Sequence, residues 1–288
     1  MQIHNLFDKQ KTIVSFEVFP PKATVPLESI FKTTEGLQAL NPDFVSITYG
    51  AAGSSSGRTL ETADKVKNAY GIEALAHLTC ITSSREDIDS ILDQLQNHHI
   101  ENILALRGDM PINKTAQENL TTNYRYAMDV ITHIKSRNYF SIAAAAYPEG
   151  HMECNSLAED TAHLQQKIVA GADFLITQVF FDNSIFYKFL DRIQKAGISA
   201  PICAGIMPLL TIKQIARIRS LCGASIPKPL QLIIDKYEHK PLDLEKAGIE
   251  YACEQITNLV ANQVDGIHLY TMNKLEHSKF IIQQTGLR

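Results

Sequence analysis

The stretch "GADFLITQ", Gly171 to Gln178, decides the fold. A glycine at this place ends a helix, and the apolar run that follows is short and rich enough in strand formers to be buried sheet. Seven further runs of this kind occur: "TIVSFEVF" from Thr12, "FVSITYG" from Phe44, "ALAHLTC" from Ala74, "NILALRGD" from Asn102, "SIAAAAYPE" from Ser141, "PICAGIMP" from Pro201 and "GIHLYTMN" from Gly266. Helix-like segments separate them. One is "REDIDSILDQLQNH" from Arg85, where Ile88, Ile91, Leu92 and Leu95 recur at helical spacing. Alternating strand and helix implies a parallel sheet, because parallel neighbours need a crossover. Eight units in 288 residues predict an α/β chain forming a single (β/α)8 TIM barrel over residues 1–288. A doubly wound open sheet is the competitor, but no G-x-G-x-x-G opens a first helix. Between Cys222 and Glu250 the pattern predicts an extra helix and an irregular loop, with a long helix from Leu244 to Asn262.

Composition narrows the function classes. Hydrophobic residues make up 45% and charged residues 20% of the chain, with a net charge of -4 and no Lys/Arg block, so nucleic acid is not an expected partner. No segment is apolar for long enough to be a signal peptide or to cross a bilayer, and a cytoplasmic location is expected. The five cysteines are odd in number, widely spaced and without a C-x-x-C, which reads as reduced thiols.

Strand side chains alternate between faces. In the first run Val14, Phe16 and Val18 share one face, while Ser15 and Glu17 share the other. The same split yields Ser46 with Thr48, His77 with Thr79, Arg107 with Asp109, then Tyr147, Gln178, and His268 with Tyr270. In a barrel the outward face packs on helices and the C-terminal mouth carries chemistry, so these polar sets are expected to form one site.

Individual motifs leave alternatives open. Glu17, inside "VSFEVFPPK", is either a core carboxylate paired with Arg107 or a general acid at the mouth. "ALRGDMP" from Ala105 places a cation and an anion at one strand end, which is also how an ion pair closes a turn. His77 is either a satisfied core histidine or a donor to a cofactor. "GAAGSSSGR" from Gly50 reads as a flexible loop more than as a phosphate cradle, since it lacks P-loop spacing. No metal-ligand spacing, Schiff-base lysine within a strand or G-x-S-x-G elbow is present, and no metal is expected. Hydride or proton transfer assisted by an organic cofactor fits such a mouth.

In this order, the runs resemble the catalytic barrel of methylenetetrahydrofolate reductases. "SFEVFPPK", "VSITYGAAGS", "AHLTC", "ALRGD", "AAYPEGH", "ITQVFFD", "GIMP" and "LYTMN" each match a family motif, and the resemblance covers about Ser15 to Asn273. It implies an FAD flavoprotein of one-carbon metabolism and methionine biosynthesis. Such an enzyme reduces 5,10-methylenetetrahydrofolate to 5-methyltetrahydrofolate with NADH or NADPH in a ping-pong reaction. By motif, Glu17 would protonate folate N10 and Asp109 would stabilise the iminium that forms. The flavin neighbourhood would comprise Thr48, Tyr49, Ala51, His77, Arg107, Gly108, Asp109, Ala127, Tyr147, His151, Asp160 and Lys167. Gln178, Gln214 and Lys274 would lie on the folate side. Relatives often carry arginine where Lys274 stands, and lysine loses the bidentate fork for a glutamate tail. The resemblance also implies a homo-oligomer and no C-terminal regulatory domain. Its rivals are a folate- or flavin-binding subunit fed electrons by a partner protein, and a flavin-free reductase.

Overall fold

The computed structural model describes residues 1–7, 11–49, 56–110 and 123–288. Eight strands match the eight expected runs, with β3 starting one residue earlier than expected: β1 Ile13–Val18, β2 Phe44–Ile47, β3 Glu73–Thr79, β4 Asn102–Leu106, β5 Ser141–Ala146, β6 Phe174–Thr177, β7 Ile202–Ile206 and β8 Gly266–Tyr270. They pair in parallel in sequence order, and β8 closes on β1, with Ser15 opposite His268 and Glu17 opposite Tyr270. The barrel expected from the sequence is therefore present.

Alternation divides the core in two. Val14, Phe16, Val45, Leu78, Ile103, Ile142 and Ile267 pack outward in the cluster shared with the helices. Ile13, Phe44, Leu75, Leu104, Ala143, Phe174 and Cys203 fill the lumen. A 3-10 turn at Ile3–Leu6 plugs the N-terminal end of the barrel. Its Ile3 and Leu6 join the inner cluster, and the Ile3 amide donates to Asn102 Oδ1 at 2.7 Å. The hydrophobic pattern of so short a segment gave no sign of this plug.

Around the barrel run α1 Glu28–Gln38, α2 Ser56–Asp64, α3 Arg85–Asn97, α4 Ala127–Ser136, α5 Leu157–Ala170, α6 Asn183–Lys195, α7 Ile212–Cys222, α8 Lys228–Tyr237, α9 Pro241–Ala261 and α10 Leu275–Thr285. Helix α3 opens with a reciprocal Ser84/Asp87 capping box. Helix α5 ends at Gly171, whose φ of 119° is the left-handed stop expected from "GADFLITQ". The aspartate two residues later secures the neighbouring strand, where Asp173 Oδ2 accepts the Ile142 amide at 2.8 Å. Asp43 does the same for Val14 at 2.8 Å and Asp265 for Ile202 at 2.9 Å. Carboxylates thus satisfy amides at the N-terminal rim that lie outside the strand ladder.

The extra helix expected between residues 222 and 250 is α8. The long helix α9 begins at Pro241, three residues before the expected Leu244, because proline suits a first helical turn where its missing N–H leaves nothing unsatisfied. Leu230, Ile234 and Leu244 form a separate cluster with Val179, Phe181 and Leu209. Gly248 on α9 lets the helix meet the loop after β7, since a Cβ there would lie 1.9 Å from the Leu209 carbonyl oxygen.

Candidate active site

Glu17 sits at the C-terminal end of β1, half-buried, facing two buried histidines. His77 Nε2 is 3.6 Å and His268 Nε2 is 3.5 Å from Glu17 Oε2. Each imidazole is held by a serine of a neighbouring strand: Ser46 Oγ lies 2.6 Å from His77 Nε2, and Ser15 Oγ lies 2.8 Å from His268 Nδ1. Arg107 is engaged elsewhere. It forms a bidentate pair with Glu153 at 2.5 and 2.7 Å, so the ion pair considered for Glu17 and Arg107 is replaced by a histidine clamp.

The backbone around Glu17 is fixed from β8. Thr271 Oγ1 donates to the Glu17 carbonyl at 2.6 Å. Beyond the strand, Asn273 mimics a strand partner: its Oδ1 accepts the Phe19 amide at 3.1 Å and its Nδ2 donates to the Phe19 carbonyl at 2.8 Å. Met272 and Asn273 have positive φ of 52° and 55°, and this tight turn brings the amide back over "FPP". Sequence reading passed over Thr271 and Asn273, because a short polar side chain after a strand looks like ordinary loop chemistry.

Burial pushes His77 down to about 4, with the Glu17 charge opposing that shift. Unfolded histidine titrates near 6.5, so as pH falls the unfolded chain takes up this proton first. The neutral imidazole therefore contributes stability above about pH 6.5 that is lost as pH falls toward 4, on the order of 3 kcal/mol. Denaturant titrations from pH 7 to 4 are expected to show a shallower decline for His77→Gln than for the parent. Parallel curves would exclude this assignment.

A cavity of about 350 Å³ opens beside β4 and β5, lined in part by Arg107, Tyr147, His151, Asp160 and Lys167. Its polar groups are tied to one another. Lys167 Nζ donates to the Ala145 carbonyl at 2.9 Å and lies 5.5 Å from the Tyr147 ring centre. Asp160 is buried and accepts the His151 amide at 3.1 Å, while the His151 ring meets Tyr147 edge-on at 4.7 Å. Burial raises the Tyr147 phenol to about 12 and lowers the Lys167 ammonium, which the Asp160 charge partly supports. Ala127 opens α4 on the same wall. Gly108 supplies a φ of +85° where a Cβ would press on Thr79 at 3.0 Å.

One part of the face assignment changes. On β4, Leu104 and Leu106 pack with the inner cluster and Ala105 with the outer one, so Arg107 and Asp109 do not continue the lumen face. The strand ends at Leu106, and the following loop, free of the pleat, turns Arg107 across to Glu153. Asp109 is exposed in that loop. Glu153, absent from the expected site residues, lies in "YPEGHMEC", and nothing in its local pattern marks it as a partner of Arg107.

The remaining expected residues fall as follows. The Thr48 amide donates to the Val18 carbonyl at 3.0 Å, and Tyr49 lines a small recess with His77 and Thr59. Ala51 lies outside the described residues. Gln178 follows β6 and turns its Oε1 onto the Val179 amide at 2.8 Å. Gln214, in the first turn of α7, spends both ends of its amide on the Pro208–Leu210 loop at 3.0 and 2.9 Å. Lys274 is exposed at the start of α10. Among the described residues no group of three or more His, Cys, Asp or Glu side chains could hold a metal ion, and no helix is long and apolar enough to cross a membrane.

Comparison with known proteins agrees with the motif reading. The sequence profile described as methylenetetrahydrofolate reductase matches residues 2–286. The 5,10-methylenetetrahydrofolate reductase of Escherichia coli is 34% identical over 275 residues, covering 96% of this chain and 91% of the relative. That of Pectobacterium carotovorum is 35% identical, covering 96% and 90%. Methylenetetrahydrofolate reductase (NADH) 1 of Arabidopsis thaliana is 34% identical over 99% of this chain, which spans 50% of the plant protein's length. Among solved structures, a Clostridium thermocellum protein described as binding two copies of 5-methyl-5,6,7,8-tetrahydrofolic acid shares the fold, with a TM-score of 0.63 at 14% identity over 100% of this chain and 99% of that one. A profile that runs nearly end to end, together with bacterial relatives matched over nine-tenths of their length, shows that the chain belongs to the methylenetetrahydrofolate reductase family.

Proposed function

We propose that this protein reduces 5,10-methylenetetrahydrofolate to 5-methyltetrahydrofolate, taking electrons from NADH or NADPH through FAD. The observation that carries the reading is Glu17, a half-buried carboxylate held between two histidines at the mouth of the barrel. The neighbouring cavity suits the cofactor. Its volume of about 350 Å³ is of small-molecule size, and its lining sets Arg107, Lys167, Tyr147 and His151 among the carboxylates Glu153, Glu159 and Asp160, so a ligand with phosphates and an aromatic ring would draw Arg107 from Glu153. Arg107, Tyr147, His151 and Lys167 would hold that group, with Ala127, Gly108 and Asp160 shaping its bed. FAD, when bound, supplies hydride carriage between the nicotinamide and the folate.

The chain's own residues do the rest. Glu17 delivers its proton to folate N10, so that the five-membered ring opens to an N5 iminium. Asp109 offers negative charge to that cation from the loop after β4. Gln178, Gln214 and Lys274 orient the folate, and Gln214 must release a loop contact to do so. The names of the plant relatives specify NADH, which makes NADH the first donor to try.

The test is spectroscopic. Protein reconstituted with FAD is expected to be yellow, to bleach with NADH or NADPH under anaerobic conditions, and to regain colour when methylenetetrahydrofolate is added. Flavin that responds to neither nucleotide but is reduced by a partner protein would replace this reading with a partner-fed subunit. A colourless, active preparation would replace it with a flavin-free reductase.

A further inference from the structure

The Glu17 clamp contains a polar atom that the chemistry above leaves unused. His268 is fully buried, and its Nε2 has no hydrogen-bond partner, although it faces Glu17 Oε2 at 3.5 Å. The other ring nitrogen identifies the tautomer. Ser15 Oγ lies 2.8 Å from His268 Nδ1 and 3.3 Å from the Ile267 carbonyl. A carbonyl only accepts and a serine has one hydrogen to give. Both contacts are hydrogen bonds in a single arrangement of the neutral ring: Ser15 donates to Ile267, and Nδ1–H donates to Ser15. Nε2 then carries a lone pair aimed at a carboxyl group. A bare carboxylate would set lone pair against lone pair, so the pair needs one proton between Oε2 and Nε2, carried by the carboxyl or by the ring.

We propose that His268 is a positioning residue for Glu17, its Nε2 lone pair keeping one proton on the Glu17–His268 pair and holding the carboxyl in the direction of the arriving folate. The inference rests on the reductase reading and deepens it. The titratable groups facing His268 are Glu17 from β1, His77 from β3 and Tyr270 on its own strand. Phe44 from β2 stacks on it at 6.2 Å, and its register partner on β7 is Gly205, which brings no side chain. His77 differs from it, because its Nε2 already has Ser46 at 2.6 Å. The present separation exceeds a hydrogen bond by about half an ångström or more, a gap of the kind that closes when a ligand settles in an active site.

The step balances. The proton leaves Glu17 for N10, the bond from the bridging carbon to N10 breaks with its electron pair passing to N10, and the carboxylate remains facing Nε2. A proton from solvent at the mouth then restores the acid, drawn by the unsatisfied lone pair.

The experiment compares His268→Asn, which keeps a donor near the Nδ1 position, with His268→Gln, whose amide oxygen reaches the place of Nε2. His268→Asn is expected to slow the folate half-reaction roughly 10²-fold at neutral pH and to move its alkaline limb to lower pH. Bleaching by NADH or NADPH should stay at the parent rate, and His268→Gln should recover part of the loss. A readout independent of turnover is the infrared difference spectrum of the Glu17 carboxyl bands as pH is raised. These bands are assigned by difference from Glu17→Gln, and the pH at which they change is expected to differ between the parent and His268→Asn. An unmoved alkaline limb with carboxyl bands that titrate as in the parent in His268→Asn would overturn the role of His268 alone. A parent protein whose reduced flavin is not reoxidised by methylenetetrahydrofolate would overturn the reductase reading beneath it.

Discussion

Glu17→Gln is expected to cut folate turnover by roughly 10² to 10⁴-fold, the usual worth of a positioned general acid, while reduction of the flavin by NADH or NADPH continues. Glutamine keeps the size and a hydrogen-bonding end, so the clamp of His77 and His268 retains something to face. What it lacks is a transferable proton, and only the half-reaction that opens the folate ring needs one. Stopped-flow measurement of the two half-reactions separately provides the check. Equal slowing of both would mean that the substitution damaged the barrel mouth as a whole. Folate reduction at the parent rate would remove Glu17 from the chemistry.

Gly205→Ala is expected to be the most disruptive single methyl group near the site. The ladder between β6 and β7 registers only Leu175 with Ile202 and Ile176 with Cys203. Beyond that, the seam is made by side chains: the Gly205 amide donates to Thr177 Oγ1 at 2.9 Å, and the Tyr270 hydroxyl donates to the Thr177 carbonyl at 2.8 Å. A Cβ on Gly205 would stand 2.3 Å from that carbonyl oxygen and 2.9 Å from the Tyr270 ring. One contact is backbone and cannot swing aside, so β6 and β7 must part or Tyr270 must leave its bond. Overpacking of this kind costs about 1–3 kcal/mol, a drop of several degrees in melting temperature for a chain of this size. Tyr270 is the register partner of Glu17 on the adjacent strand, and the Michaelis constant for folate should rise as well. Unchanged melting and binding would show that the seam is looser than these distances indicate.

Much of this molecule was legible in one dimension. Strand runs separated by amphipathic segments identified the barrel, since a parallel sheet admits few other solutions. Alternation within "TIVSFEVF" placed Glu17 on the lumen side, because the pleat has a period of two whatever the neighbours are. Glycine at 171 signalled a helix end through its own conformational freedom. The same logic failed at "ALRGD", where the strand stops at Leu106 and the pleat no longer governs Arg107. It also could not see the N-terminal plug, the rim aspartates or the Asn273 clasp. Each of these is an interaction with a residue distant in the chain and leaves no local periodicity.

The sequence by itself therefore determined the eightfold strand order, the face on which Glu17 stands and the family to which the chain belongs, since these follow from spacing and ordered motifs. Only the tertiary structure decided what Glu17 faces. Barrel closure sets β1 beside β8 and brings β3 within reach, so two histidines 60 and 251 residues from Glu17 converge on a single carboxylate oxygen. Strand closure is a property of the whole sheet, and no segment of the chain carries it alone.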